Sequence, residues 1–295
     1  RSLLLLAAAV ILLMSSVFIL TLGGLWIGLT MPLCGLVLIS GSGILRRGVL
    51  SQRHQQDMRR LLGQTSSPAV AQQLWDQRDD LIKDGRFTGR EQNITVLFSD
   101  TCSFTSVSER LTPSALMQWL NRGMSIGVDA VTSRGGIVNK FTGDGMLAVF
   151  GAPVSNGTKV DADSAVAAAL AIQEQILTLN KALALEGQPA LRMRIGIHSG
   201  PVLTGSLGSS KRLEYAVIGD TVNCASRLEG LEKNRHETMV RVLISGDTMA
   251  LLEALPPDAI SEAWGTIQVK GRQEPLEVIE LRNTPPKQPE AKRHR

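Results

Sequence analysis

The chain has 295 residues, of which 43% are hydrophobic, 4% aromatic and 20% charged, with a formal net charge of +4. This length allows one or two domains, and the small positive charge does not require a nucleic-acid partner. The three cysteines, Cys34, Cys102 and Cys224, are widely spaced and predict no disulfide, and the four histidines form no zinc-ligand pattern.

The first 45 residues predict a hairpin of two transmembrane helices. Residues 2–45 contain no Asp, Glu, Lys, Arg or His. Spans at 3–22 and 25–45 are each about 20 residues long, enough to cross a bilayer core, with a turn at Gly23 and Gly24. A signal peptide fits poorly, because the apolar stretch is too long and a second one follows it. A buried soluble hairpin is the alternative interpretation.

Basic residues after the second span predict its orientation. They are Arg46, Arg47, Arg53, Arg59 and Arg60. Positively charged flanks stay on the cytoplasmic side and can contact anionic lipid head groups of the bilayer. We therefore expect a multi-pass protein of the cell inner or plasma membrane, with everything after residue 46 in the cytoplasm. Because the chain begins with Arg rather than Met, we also expect an extracytoplasmic sensor domain or further spans upstream.

Residues 46–90 predict a cytoplasmic helical connector. Ser67 and Pro68 are typical of a helix cap and first helical residue. The apolar stripe that follows could pair with a second copy of the chain or pack on its own domain, since periodicity alone allows both.

From residue 91 the pattern alternates strands and helices. The predicted strands are 94–99, 137–142, 146–150, 191–198, 202–206, 213–218, 240–245, 260–269 and 276–281, and the helices are 113–132, 161–185 and 220–231. Gly200 and Pro201 are expected to form the turn between two of these strands. The opening order βαββαβ predicts a ferredoxin-like α+β sandwich over 91–282 with one sheet face free, and residues 283–295 predict a disordered tail.

Two aspartates lie at the ends or turns of apolar strands. Asp100 ends the run from Ile94, and Asp144 lies between two predicted strands. Two carboxylates on neighbouring strands can hold a pair of Mg²⁺ ions, which suits phosphoryl chemistry. Alternatively, Asp144 is a type I′ turn residue and Asp100 caps the next helix.

The segment 214–229 carries a second polar pattern. Asn223 and Arg227 are four residues apart and share a helix face, while Val222, Ala225 and Leu228 form the opposite face. Such a face can orient a sugar and offer a guanidinium to phosphate. An exposed helix with an ordinary arginine is the alternative.

Residues 91–282 resemble the catalytic domain of class III adenylate cyclases. Five ordered motifs carry the resemblance: Thr95-Val-Leu-Phe-Ser-Asp100 with Phe104-Thr105, Lys140-Phe-Thr-Gly-Asp144, Arg194-Ile-Gly-Ile-His-Ser-Gly200, Gly219-Asp-Thr-Val-Asn-Cys-Ala-Ser-Arg227 and Val269-Lys-Gly271. The membrane hairpin and the connector also resemble bacterial members that have an upstream sensor.

The resemblance implies an adenylate cyclase that converts ATP to 3′,5′-cyclic AMP and pyrophosphate. Asp100, Asp144 and the backbone carbonyl of Thr101 would hold two Mg²⁺ or Mn²⁺ ions per active site. Asn223 would position the ribose and Arg227 would stabilise the transition state. The remaining substrate-binding roles would be the adenine contact of Lys140, the phosphate contacts of Arg194 and Lys270, and a backbone phosphate cradle formed by Cys102, Ser103, Phe104 and Thr105.

In this family the site is shared between two protomers. The metal aspartates come from one protomer, and Lys140, Asn223, Arg227 and Lys270 come from the other. A single kind of chain that carries both sets implies a head-to-tail homodimer with two equivalent sites.

Two positions depart from the family pattern. The second purine-recognition position, usually Asp or Thr, is Ala216, which has no side-chain hydrogen-bonding group; Lys140 nevertheless favours ATP, because guanylate cyclases usually carry Glu there. Ser103 replaces a frequent glycine of the phosphate loop. The alternatives are a guanylate or dual-specificity cyclase, a nucleotide-binding pseudo-cyclase that signals by dimerising, and another two-metal enzyme on the same scaffold, although the diguanylate cyclase signature is absent.

Overall fold

The computed structural model describes residues 78–83, 86–209, 212–232, 238–268 and 275–284. These residues belong to one compact unit of the chain. The predicted membrane hairpin, most of the connector, Lys270 and most of the tail lie outside the described residues. Among the helices of these ranges, none combines the length and the hydrophobicity that a bilayer span requires.

The described residues alternate strands and helices much as the sequence predicts. In chain order the elements are α1 (Arg78–Leu81), β1 (Ile82–Lys83), β2 (Arg86–Phe87), β3 (Arg90–Thr101), α2 (Phe104–Ser108), α3 (Pro113–Thr132), β4 (Ile137–Phe141), β5 (Met146–Phe150), α4 (Thr158–Leu185), β6 (Met193–Ser209), β7 (Arg212–Ile218), α5 (Asp220–Gly230), β8 (Val240–Ser245), α6 (Gly246–Met249), β9 (Ala259–Ile267) and β10 (Leu276–Asn283). The last predicted strand therefore extends two residues further, to Asn283.

The main sheet confirms the predicted ferredoxin-like core. Its strand order is β4-β5-β3-β6-β8-β10-β9, with β7 paired to β6. The strands β3, β4, β5 and β6 are the four strands of the βαββαβ unit, and all their pairings are antiparallel. Strand β8 pairs parallel to β6 and extends the sheet on that side.

Helix α3 has the predicted bounds, Pro113–Thr132. Thr112 caps it, accepting a hydrogen bond from the Ala115 amide at 3.4 Å, and Pro113 suits the first helical position because its missing N–H is not needed there. Gly127 faces the sheet, and a Cβ at this position would lie 2.6 Å from Met146 Cε. The absent side chain lets the helix lie close to the first residue of β5.

The second face of the sheet is covered in part by α5, which corrects the expectation of a free face. Successive strand residues point to opposite faces, and Ile195 and Ile197 of β6 lie in the core formed with α3 and α4. Gly196 between them faces α5, and a Cβ there would lie 3.0 Å from the Leu228 carbonyl carbon. Glycine therefore allows the helix backbone to rest on the strand.

Strand β6 is one continuous strand of 17 residues, so the predicted turn at Gly200 and Pro201 is wrong. Pro201 pairs with Asn93 of β3. On the other side of β6, the pairing with β8 ends at Ile197 and the pairing with β7 begins at Leu203. The proline lies in the gap between these two partners, where a strand tolerates a missing N–H.

The described end of the connector also differs from a continuous helix. Helix α1 has only four residues and is followed by the paired two-residue strands β1 and β2. Helices α2 and α6, with five and four residues, were not predicted. Elements this short contain too few residues to show a helical period in the sequence.

Tyr215, the only tyrosine of the chain, gives a direct probe of this fold. Its side chain is 6% exposed, and burial raises its pKa to about 12. Absorbance of tyrosinate in the folded protein should therefore appear with a midpoint near pH 12, against about 10 after denaturation. Because the folded-state pKa is the higher one, the protonated form of Tyr215 favours the folded state. Its contribution to the free energy of unfolding should be fully present below pH 10 and lost as pH rises toward 12. A folded-state midpoint near 10 would contradict burial of Tyr215.

Candidate active site

The two predicted aspartates lie at the end of β3 and in the turn that leads into the neighbouring strand β5. Asp100 is the penultimate residue of β3, and Asp144 lies in the turn between β4 and β5. The Thr101 hydroxyl donates a hydrogen bond of 2.7 Å to the Asp144 backbone carbonyl. Gly145 faces the end of β3 so closely that a Cβ would lie 3.0 Å from Asp100 Cα and still closer to the Ser99 carbonyl oxygen. The turn therefore brings Asp144 beside Asp100.

Asp144 does lie in a turn, but the backbone excludes both a type I′ turn and a helix cap at Asp100. In the turn, Gly143 has a φ of +80°, whereas Asp144 is not among the described residues with positive φ. A type I′ turn needs positive φ at both central residues, and glycine at the first of two central positions is typical of type II′. Asp100 lies within a strand, and the residue that precedes helix α2 is Ser103, with φ 56°.

Asp100 is joined to a buried ion-pair chain. The Arg194 guanidinium contacts the Asp100 carboxylate through Nη2 and donates from Nε to Glu229 Oε1 at 2.7 Å. The side chains of Arg194 and Glu229 are 7% and 8% exposed, and that of Asp100 is 27% exposed. Burial alone lowers the pKa of Arg194, but the hydrogen bond with Glu229 and the nearby negative charges raise it overall. Arg194 is therefore a fixed positive charge beside the carboxylates.

The expected phosphate cradle needs one correction. The Cys102 amide donates to the Arg192 carbonyl at 2.8 Å, so it is already engaged in the sheet, and the expected cradle would be left with the amides of residues 103–105. The Cys102 thiol is buried, and burial raises its pKa.

Backbone groups of successive residues in an antiparallel pair of strands point alternately toward and away from the partner strand. The Thr101 carbonyl therefore points away from β6, toward the side where β5 and Asp144 lie.

Helix α5 presents the predicted pair of polar residues. Asn223 is exposed and Arg227 is half-buried, whereas Ala225 and Leu228 are buried; Val222 is only half-buried. Arg227 lies in the last helical turn, two residues before the Glu229 that binds Arg194.

The predicted purine positions lie on two different strands that contact each other. Lys140 is exposed on β4 and Ala216 is half-buried on β7. Between these strands, Asn139 Nδ2 donates to the Tyr215 carbonyl at 2.7 Å. The described residues thus bring Asp100, Asp144, Thr101 and Arg194 together, carry Lys140 and Ala216 on a second pair of strands, and carry Asn223 and Arg227 on α5.

Three further residues of this region were missed in the sequence. Glu229 holds Arg194, and Asn139 joins β4 to β7. Arg241 of β8 donates to the Glu229 and Glu232 carbonyls at 3.1 and 2.9 Å, and it lies over the Trp264 ring at 5.2 Å. Glu229 follows the Arg227 motif directly, which is the one sequence signal that could have found it. No local pattern announces the other two.

The donor set favours hard divalent cations. In the described part of the chain, no group of three or more His, Cys, Asp or Glu side chains forms a metal site. A site on Asp100 and Asp144 would offer carboxylate oxygens and the Thr101 carbonyl, with other positions open to water and substrate oxygens. This suits Mg²⁺, which keeps several waters and binds through one or two carboxylates plus phosphates.

The part of the chain that carries these residues matches a known family of catalytic domains. Residues 88–280 match the model of the adenylate and guanylate cyclase catalytic domain. The chain belongs to this family. The carboxylate pair, Arg194 and the α5 motif all lie within the matched cyclase domain.

Individual relatives include both kinds of cyclase. Adenylate cyclase 1 of Rhizobium meliloti (strain 1021) is 35% identical over 204 residues, which cover 68% of this chain and 29% of the relative. The crystal structure of the adenylyl cyclase CyaB from P. aeruginosa is 31% identical, with a TM-score of 0.61, over 68% of this chain and 98% of that one. The crystal structure of the guanylyl cyclase Cya2 is 32% identical, with a TM-score of 0.58, over 68% and 96%. The chain thus matches less than a third of the length of the Rhizobium protein.

Replacing Gly145 of the cyclase domain with alanine tests the close approach that builds the site. The added Cβ would enter the space of the Ser99 carbonyl, so we expect Gly145→Ala to lower the free energy of unfolding by about 2 kcal/mol through overpacking. Urea unfolding followed by tryptophan fluorescence measures this. Gly89→Ala is the matched control, because no atom lies within 4 Å of a Cβ there. Equal effects of the two substitutions would contradict the close approach.

Proposed function

We propose that this chain is a membrane-bound adenylate cyclase that converts ATP to 3′,5′-cyclic AMP and pyrophosphate at a homodimer interface, under the control of an upstream sensor. The observation that carries the proposal is the meeting of Asp100 and Asp144, with the Thr101 hydroxyl bound to the Asp144 carbonyl. Membership of the cyclase family gives the class of reaction, and the residues around the two carboxylates support the conversion of ATP to cyclic AMP.

The chemistry is an in-line displacement at the α-phosphorus. The ribose 3′-oxygen forms a bond to the α-phosphorus as the bond to pyrophosphate breaks. Two Mg²⁺ or Mn²⁺ ions held by Asp100, Asp144 and the Thr101 carbonyl would, when bound, activate the 3′-hydroxyl and offset negative charge on the phosphates. Arg227 would offer its guanidinium to the charge that develops in the transition state, and Asn223, one turn away on the same face, would orient the ribose.

Arg194 would serve the same region in two ways. Its positive charge balances Asp100. With a cation held by Asp100, the Nη groups of Arg194 would be available to the β- and γ-phosphates while Nε stays bound to Glu229. Glu229 would therefore keep Arg194 at the site with or without a cation on Asp100. Lys270, which lies outside the described residues, would contact the same phosphates.

Exposed apolar residues support the homodimer. Four large apolar side chains on β4, β6 and β7 are about half exposed: Phe141 at 54%, Leu203 at 54%, Leu207 at 52% and Ile218 at 50%. Strands β4 and β7 also carry Lys140 and Ala216. A second copy that covered these side chains would bury apolar area and bring its own polar residues to the edge of the site.

A guanylate or dual-specificity cyclase is the second candidate. Ala216 has no side-chain group that could read the base edge, so the choice of purine would depend on Lys140, the backbone and water. A site without a dedicated polar contact discriminates weakly. The 32% identity to the guanylyl cyclase Cya2 supports keeping this candidate. Lys140 favours ATP, which makes adenylate cyclase our first proposal.

The membrane location rests on the sequence. The charge-free residues 2–45 and the arginines that follow them support a bilayer hairpin with the cyclase domain in the cytoplasm. A sensor upstream could act through the connector. Recovery of the protein in the membrane fraction after a carbonate wash would support this part, and release into the supernatant would contradict it.

A direct assay tests the activity. The purified protein with Mn²⁺ should form cyclic AMP from ATP, and Asp144→Asn should lower kcat by a factor of about 100 or more, because a metal carboxylate is lost. Asp144 is the better position for this test, since its contact with Thr101 uses the main-chain carbonyl and survives the substitution. Product formation from GTP alone would favour the second candidate, and no cyclic product from either nucleotide would rule out both.

Mixing two inactive variants tests the shared site. Asp144→Ala and Arg227→Ala chains should each be nearly inactive alone. A mixture in equal amounts should recover about a quarter of the wild-type activity, because half of the dimers are mixed and each mixed dimer has one intact site. An Asp100→Ala and Asp144→Ala mixture is the matched control and should recover nothing, since both aspartates act in the same site half. Failure of the first mixture to exceed its parents would contradict the shared geometry.

A further inference from the structure

A β-bulge sets the direction of Lys140. In the pairing of β4 with β5, Val138 lies opposite Ala148 and Lys140 lies opposite Leu147, so Asn139 is an extra residue. Directly opposed residues share a sheet face, and both Val138 and Ala148 belong to the core under α3 and α4. Leu147 is the neighbour of Ala148 and points to the other face. The bulge therefore moves Lys140 to the face opposite that core, whereas regular alternation would have placed it on the same face as Val138.

Asp100 shares the face to which the bulge moves Lys140. In the pairing of β3 with β5, Leu97 lies opposite Ala148 and Phe98 lies opposite Leu147. Asp100 follows Phe98 by two residues and so shares its face. Without the extra residue, the Lys140 side chain would point away from the face that carries Asp100.

The extra residue of the bulge also joins β4 to β7. The Asn139 side chain is partly buried, and its Nδ2 donates to the Tyr215 carbonyl at 2.7 Å, across 76 residues of sequence. Tyr215 is itself buried, with 6% of its surface exposed, and this burial holds the residue in place. Each end of this hydrogen bond is one residue before a purine position: Asn139 precedes Lys140, and Tyr215 precedes Ala216.

We propose that Asn139 is a positioning residue for purine selection, which sets the placement of Lys140 relative to the backbone around Ala216. This inference rests on the proposed function. With alanine at position 216, the base can be read only by Lys140, by backbone groups of β7 and by water. Those groups lie on two strands that pair with different neighbours, so their separation depends on the contact between them. The Asn139 amide supplies a hydrogen bond at this contact.

The test is the ratio of kcat/KM for ATP to that for GTP. In Asn139→Ala this ratio should fall about 10-fold, because the variant loses the one hydrogen bond that holds Lys140 in position. Asn139→Gln keeps a donor and should recover part of the ratio, whereas Asn139→Asp removes the donor at constant size and should behave like alanine. In a Lys140→Ala background, Asn139→Ala should change the ratio little, because the residue that it positions is gone.

A matched control separates positioning from general stability. Asn180 makes two partly buried hydrogen bonds to the Leu191 backbone, away from both purine positions: its Nδ2 donates to the carbonyl at 2.8 Å, and its Oδ1 accepts from the amide at 2.7 Å. Asn180→Ala should lower the Tm without changing the ATP-to-GTP ratio. If Asn139→Ala and Asn139→Asp both lower the two kcat/KM values by the same factor, or if the wild-type protein does not distinguish the two nucleotides, the inference is overturned.

The proposed function can fail separately from this inference. If the wild-type protein forms no cyclic product, the proposed function is wrong, and the equilibrium Kd values for ATP and GTP then decide the role of Asn139. A difference between the two affinities that disappears in Asn139→Ala supports the inference. A difference that is unchanged in this variant, or no difference in the wild type, overturns it.

Discussion

The close approach of the β4–β5 turn to the end of β3 is the constraint on which the candidate site depends. Gly145 lies where any Cβ would overlap the Ser99 carbonyl and lie 3.0 Å from Asp100 Cα. Because this residue has no side chain, the turn can settle on the strand and the Thr101 hydroxyl can reach the Asp144 carbonyl. Gly127 extends the same arrangement, since its missing side chain admits Met146, the residue that follows the turn. Helix, turn and strand end thus fix the carboxylate pair together.

Buried charge organises the other side of the site. Arg194 lies between Asp100 and Glu229, and Arg241 binds the main-chain carbonyls at the end of α5. Buried ion pairs contribute little net stability, because desolvation offsets the Coulomb attraction. Their geometric effect is larger here: Glu229 fixes the direction of Arg194, and Arg241 satisfies carbonyls that a helix end leaves unpaired. The last turn of α5, which carries Arg227, is therefore held to the sheet on which Asp100 lies.

Sequence patterns predicted much of the fold and part of the site. The bounds of α3 followed from its amphipathic pattern, and the βαββαβ order followed from the alternation of strand and helix patterns along the chain. The predicted turn at Pro201 was wrong because proline also occurs in a strand at a point where one of its two edges has no partner. The expected role of the Cys102 amide was wrong because the register of β3 and β6 gives that amide to Arg192. A free sheet face was wrong because the packing of α5 on Gly196 is a contact between distant elements.

The sequence by itself determined the family, the local elements and the kinds of residue that the chemistry needs, since motifs, caps and periodicity involve neighbours along the chain. The tertiary structure decided which of those residues meet. Asp100 and Arg194 are 94 residues apart in sequence, and Arg194 and Glu229 are 35 apart. The first pair meets because of the register of β3 and β6, and the second because α5 packs on the sheet. Asp100 is not a helix cap, and Asp144 is a turn residue that lies beside Asp100 because glycine at position 145 lets the two backbones touch.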